Sequence, residues 1–218
     1  ENKVELLNFL PEFMEIKNSG ITKRFWDYLV ERGFDNPDII ISKYNLKCCL
    51  VGEYKFRIII PIYKDGKLVT WTSRSLYKNA KLRYLTHPIK DSVLNIKDTL
   101  FNYDYINNGG EVLFITEGPF DAIKMQYLFP FPSYKATCLY TKSISDVQEV
   151  LLYYIAPNYN KVILLLDKNE ISQSFFMMSN LSFISNFETM IFPFNDIKDP
   201  GELTKEHMNI LLNTINKE

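Results

Sequence analysis

Short apolar runs alternate with amphipathic ones through the second half of the chain. Runs at 112–116, 135–140, 161–166 and 188–193 have the length and composition of buried strands. The segments 119–128, 144–155, 170–184 and 201–215 carry apolar residues at helical spacing instead. Regular β/α alternation predicts a mostly parallel sheet flanked by helices. The first half follows another pattern. Residues 21–32 place Phe25, Trp26, Leu29 and Val30 on one helical face, with Gly33 as the stop. Asn36-Pro37-Asp38 predicts a second short helix, since proline suits a first turn. Residues 4–16 hold apolar positions at helical spacing around Pro11 and predict a short helix or helical pair. Residues 46–51, 56–63 and 67–74 then read as strands, with Asp65-Gly66 closing a hairpin.

Asn107-Asn108-Gly109-Gly110 puts four turn-formers in a row and is the boundary candidate. It predicts an α+β subdomain over 1–108 and a parallel α/β domain over 109–218. No internal repeat or low-complexity tract interrupts either. A start at Glu1 rather than Met suggests a fragment of something longer.

Composition narrows the classes. With 218 residues and 46% hydrophobic content, a sizeable core can be buried. No apolar run nears the roughly 20 residues of a membrane span, and no secretory signal pattern is present, so a cytoplasmic protein without a membrane partner is expected. Cys48 and Cys49 are adjacent, Cys138 is distant, and His87 and His207 are isolated. That inventory predicts buried structural thiols and no zinc in this chain. Charge is unevenly distributed. Across 54–90 nine Lys/Arg stand against Asp65 alone, so that window carries +8 and the rest −9 beneath a net charge of −1. Arg74, Lys78, Lys81 and Arg83 there are interleaved with Trp71, Tyr77 and Tyr84. Arginine suits bidentate phosphate contacts and aromatic rings can stack on unpaired bases.

Candidate chemistry gathers at the strand ends. Glu117 follows strand 112–116 and Gly118 lets the chain turn, with Asp121 four residues beyond the glutamate. Asp167 ends the later strand 161–166 in the same way. Ligands of open α/β sheets bind at the carboxyl ends of strands, and two acidic tips in one sheet make a platform for a divalent cation. Asp199 is either a further ligand or the cap of the last helix, with Pro200 in its first turn.

Glu117-Gly118-Pro119-Phe120-Asp121-Ala122, the tip at Asp167 and Lys198-Asp199-Pro200-Gly201-Glu202-Leu203 together resemble the TOPRIM domain. Primases, topoisomerases and some nucleases share that domain. Upstream, Arg57-Ile58-Ile59-Ile60-Pro61-Ile62, Asp65-Gly66-Lys67, Thr72-Ser73-Arg74-Ser75-Leu76 and Arg83-Tyr84-Leu85-Thr86-His87-Pro88 resemble, in order, the segment before TOPRIM in bacterial and phage-type DNA primases. The resemblance spans roughly residues 20–205. It implies a TOPRIM-type parallel sheet flanked by helices, preceded by a smaller basic α+β subdomain. It implies template-directed RNA primer synthesis on single-stranded DNA from ribonucleoside triphosphates, with Mg²⁺ (or Mn²⁺) as cofactor. A replicative helicase is the implied partner, in cis or in trans, and the setting a bacterial or phage-infected cell or an organelle.

By that resemblance Glu117 is the catalytic carboxylate, either holding metal or moving a proton. Asp167 and Asn169 are metal ligands with Asp121 and Asp199 as helpers, and Arg57, Arg74, Lys78, Lys81 and Arg83 meet nucleic acid or nucleotide. One departure stands out. The second tip of the family is Asp-x-Asp, whereas this chain reads Asp167-Lys168-Asn169-Glu170. An asparagine carbonyl can ligate Mg²⁺ but adds no negative charge. That departure leaves open a catalytically degenerate, DNA-binding primase-like domain of a replicative helicase; a TOPRIM nuclease is a separate alternative, against which the basic segment before TOPRIM argues.

Overall fold

The computed structural model describes residues 6–166, 179 and 181–215, and the chain divides into two compact units, residues 1–96 and 97–218. In the first, β1 (Phe13–Glu15), β2 (Lys47–Cys49), β3 (Arg57–Lys64), β4 (Lys67–Ser75) and β5 (Tyr84–Thr86) form one antiparallel sheet in chain order. The hairpin between β3 and β4 turns on Asp65 and Gly66, at φ +53° and +71°. Two successive left-handed residues are what a type I′ turn requires, and Asp-Gly supplies them. Helix α1 (Lys23–Glu31) buries Phe25 and Leu29 and ends before Gly33, at φ +75°, whereas Val30 stays exposed. Helix α2 (Pro37–Tyr44) starts where Asn36 Oδ1 accepts the Asp38 N–H at 3.2 Å.

The helix expected within 4–16 is not formed among its described residues. Phe13–Glu15 is a strand, paired with Lys47–Cys49. Pro11 lacks the N–H a helix would need, and β2 offers backbone partners to the residues after it. Leu7, Leu10 and Phe13 pack on a cluster of Cys49, Tyr54, Ile59 and Trp71, so the apolar spacing serves an extended segment.

In the second unit, β6 (Gly110–Thr116), β7 (Tyr134–Cys138), β8 (Tyr159–Leu166) and β9 (Phe187–Ile191) form a sheet in the order β7-β6-β8-β9, every pairing parallel. The helices are α3 (Tyr103–Ile106), α4 (Pro119–Leu128), α5 (Asp146–Ile155) and α6 (Lys205–Ile215). Alternation along β6 decides which face each meets. Leu113 and Ile115 join Val162 and Leu164 under Leu152 and Ile155 of α5. Phe114 points the other way and stacks on Phe129, just past α4, at 5.5 Å. Helices α4 and α6 pack together, completing a sheet with helices on both faces. The expected helix 170–184 lies almost wholly outside the described residues.

The Asn107–Gly110 turn falls inside this unit. Residues 97–106 already belong to it: Tyr159 Oη donates to Ile106 O at 2.6 Å and Lys135 Nζ to Tyr105 O at 2.8 Å. A Cβ on Gly110 would stand 2.3 Å from the Ser133 carbonyl oxygen. Close backbone approach beside the central strand therefore accounts for that glycine. From β6 the chain runs through α4 to β7 on one side, then returns through α5 to β8 on the other. The crevice where strand order reverses lies at the carboxyl ends of β6 and β8. Among the described residues no helix is long and apolar enough to cross a membrane.

Candidate functional site

Glu117 is the residue after β6, at that crevice, and is half-buried. The corner beneath it is tied down locally. Thr116 Oγ1 donates to Thr137 O at 3.1 Å and Gly118 O at 3.3 Å, while Gly118, extended and just before Pro119, opens α4. Asp121 turns back to accept the Gly118 N–H with Oδ2 at 3.2 Å. It therefore acts as a helix cap. Both carboxylates act on the end of β7. Burial is the main cause that pushes the Cys138 thiol well above its usual range, a backbone hydrogen bond at Tyr140 opposes it, and Asp121 and Glu117 add to the rise. This thiol is protonated and inert.

Asp199 precedes the 3₁₀ turn Pro200–Glu202, which packs against α4. Its side chain caps nothing. The Lys198 N–H is taken by Glu202 Oε2 at 3.0 Å, and the Glu202 N–H by the Asp199 backbone carbonyl at 3.0 Å. The last helix starts later, where Thr204 Oγ1 accepts the His207 N–H at 3.3 Å. Asp199 Oδ1 is buried and finds no hydrogen-bond partner among the described residues. Such an oxygen calls for a donor or a cation.

The other expected ligands, Asp167 and Asn169, lie outside the described residues; β8 ends at Leu166, immediately before them. Among the described residues no three His, Cys, Asp or Glu side chains form a metal-holding group. Donor type nevertheless fits a hard divalent cation, since carboxylate oxygens are what Mg²⁺ and Mn²⁺ take. The buried Asp199 oxygen fits it as well.

The expected nucleic-acid residues separate into two sets. Arg57, partly buried, donates to Leu82 O at 2.8 Å and more distantly to the Ser73 and Arg83 carbonyls, each at 3.5 Å. It pins the loop that carries Lys81 and Arg83. Arg74 is 6% exposed, lies 4.9 Å over the Tyr84 ring and hydrogen-bonds Tyr28 and Tyr84. Burial acts to lower its pKa, but the two tyrosines outweigh burial and the net shift is upward. Lys78, Lys81 and Arg83 are exposed, as is Tyr77.

Trp71 is fully buried with His87 stacked on it at 3.7 Å, so it offers no face to a base. Sequence reasoning missed Arg24 and Phe56. The Arg24 guanidinium lies 4.8 Å over the Phe56 ring, and Phe56 adopts φ +57°. It also missed Lys97, whose Nζ donates to Thr141 Oγ1 at 2.7 Å and Ser143 O at 2.8 Å, bracing the loop after β7. Phe56 carries no turn signal that would have shown its conformation; Lys55 beside it does fall in the basic window.

No family model matches the chain, and no curated protein does. Solved structures do match. The catalytic core of DnaG superposes with a TM-score of 0.75 at 15% identity, covering 94% of this chain and 76% of that one. A DnaG primase catalytic domain bound to single-stranded DNA gives 0.70 at 16%, covering 93% and 80%. The primase fragment of the bacteriophage T7 primase-helicase gives 0.57 at 17%, covering 81% and 67%. At these identities the likeness establishes architecture rather than activity. The chain has the fold of bacterial and phage primase catalytic cores, a TOPRIM-type parallel sheet preceded by a smaller basic antiparallel subdomain.

Proposed function

We propose that this chain is the RNA-polymerase core of a primase, joining ribonucleotides on a single-stranded DNA template. The observation that carries the reading is Asp199 Oδ1, a carboxylate oxygen buried without a partner among the described residues, on a turn packed against the helix that Glu117 precedes. Glu117, Asp167 and Asp199 would hold Mg²⁺ or Mn²⁺, with Asp121 and Asn169 as helpers. When bound, the cation neutralises charge at the reacting phosphate and aligns the attacking and leaving oxygens. In the transfer, a new oxygen–phosphorus bond forms from the attacking hydroxyl as the bond to pyrophosphate breaks. Glu117, fixed at the strand end, either takes the hydroxyl proton or helps hold the cation. The exposed Lys78, Lys81 and Arg83 hold template phosphates, while Arg57 and Arg74 fix the strands and loop that present them. The likeness to a domain bound to single-stranded DNA supports this track, and that to a phage primase-helicase supports a helicase partner.

Asn169 favours a second reading, a core of the same fold with weakened metal binding that survives as a DNA-binding lobe. Template-dependent dinucleotide synthesis separates the two. The native chain should make dinucleotide with Mg²⁺ or Mn²⁺, and Glu117→Gln should lose about 10²–10³ in rate with an unchanged circular dichroism spectrum. Synthesis by the variant within a few-fold of wild type would remove Glu117 from the mechanism. Tight DNA binding with no synthesis by the wild type would favour the degenerate reading.

A further inference from the structure

Tyr77 leaves the end of β4 with its side chain 56% exposed, in edge-to-face contact with Phe56 at 5.6 Å and 83°. Its backbone is fixed: the Tyr77 N–H meets Ser75 Oγ at 3.1 Å, and its carbonyl accepts the Ala80 N–H at 3.3 Å. Phe56 is held at φ +57°, a left-handed conformation that a bulky residue seldom adopts. Two hydrogen bonds keep it there, from its N–H to Cys49 O at 2.8 Å and from the Leu76 N–H to its carbonyl at 3.0 Å. The Phe56 ring also carries the Arg24 guanidinium at 4.8 Å and the Lys55 ammonium at 5.0 Å. Lys78 follows Tyr77 directly, and Lys81 lies just past the turn that the Ala80 hydrogen bond closes.

The result is an exposed ring braced from the side, on a fixed backbone, with cations around it. Of the aromatics interleaved with Arg74, Lys78, Lys81 and Arg83, Trp71 is buried and Tyr84 is covered by Arg74, and Tyr54 earlier in the segment is buried as well. We propose that Tyr77, braced by Phe56, is the stacking platform for an unpaired base of single-stranded DNA, with Arg24, Lys55, Lys78 and Lys81 receiving the flanking phosphates. Every base has a π-face, so the platform is tolerant of sequence, as a template track requires. This rests on the single-stranded-template reading and adds a base contact to its phosphate contacts.

Fluorescence anisotropy with a short oligothymidylate and an abasic strand of the same length tests it on the full chain. Tyr77→Ala should raise the Kd for oligothymidylate by about five- to 100-fold, and Tyr77→Phe should stay within about two-fold of wild type. On the abasic strand all three proteins should bind alike, and the salt dependence of Tyr77→Ala should be unchanged. Tyr77→Leu, which keeps bulk at this exposed position, should behave as Tyr77→Ala; a cost shared equally by both strands would assign Tyr77 to local structure and overturn the platform. Lys78→Ala with Lys81→Ala should weaken both strands and lower the log–log salt slope by about 0.7 per lost contact. If the lysine variants do so while Tyr77→Ala changes nothing, the platform fails and the template reading stands. If the wild type binds neither strand, the template reading itself falls.

Discussion

Arg74→Ala and Arg83→Ala should separate two tasks that one basic segment performs. Arg74 is buried, with its guanidinium over Tyr84 and hydrogen-bonded to Tyr28 and Tyr84. Each charge-assisted hydrogen bond contributes about 1.5–3 kcal/mol, and a desolvated cation–π contact about 2 kcal/mol. Removing the guanidinium also removes a charge whose burial is unfavourable, which offsets part of that loss. The net destabilisation should be about 2–4 kcal/mol, or roughly 5–15 °C in Tm for a chain of this length. Arg83 is exposed, and its truncation should change stability by no more than about 0.5 kcal/mol. Its loss should instead lower the salt slope of single-stranded DNA binding by about 0.7. Urea unfolding followed by tryptophan fluorescence reports on the first effect, since Trp71 is fully buried. Binding measured across salt concentrations reports on the second. An Arg74→Ala protein as stable as wild type, with the full reduction in salt slope, would refute the reasoning by showing that Arg74 reaches phosphate.

Asp199→Asn should reduce the Tm gain on adding Mn²⁺, because an amide oxygen offers the cation no negative charge, and a melting curve with Mn²⁺ matching wild type would remove Asp199 from the cation site. Gly110→Ala should cost about 1–3 kcal/mol in urea unfolding, because its Cβ would meet the Ser133 carbonyl oxygen at 2.3 Å; a neutral result would mean β6 can shift. Burial, then Cys49 and Glu15, pushes the Cys48 thiol up to about 12 from an unfolded value of 9.0. Its contribution to stability is therefore complete below pH 9.0 and lost as pH rises toward 12. Native protein at pH 8 should resist alkylation at Cys48 until unfolded, and rapid labelling there would contradict the burial.

Several features of the fold follow from local chemistry alone. Apolar runs alternating with amphipathic ones fixed the parallel β/α unit, Asp65-Gly66 fixed a hairpin, and Glu117 had to end a strand because Gly118-Pro119 both stops it and starts α4. Other features depend on partners remote in the chain. Phe13–Glu15 is a strand because Lys47–Cys49 supplies its hydrogen bonds, which no periodicity within 4–16 could reveal. Residues 97–106 join the second unit through bonds to β7, β8 and the loop after β7. Arg74 looked like its exposed neighbours until Tyr28, from α1, closed over it. Asp199 read equally as a further ligand or a helix cap, and it is Glu202 and the backbone that do the capping and leave its oxygen buried. Backbone propensity acts over a few residues and is written locally; burial and hydrogen-bond satisfaction depend on which remote segments arrive.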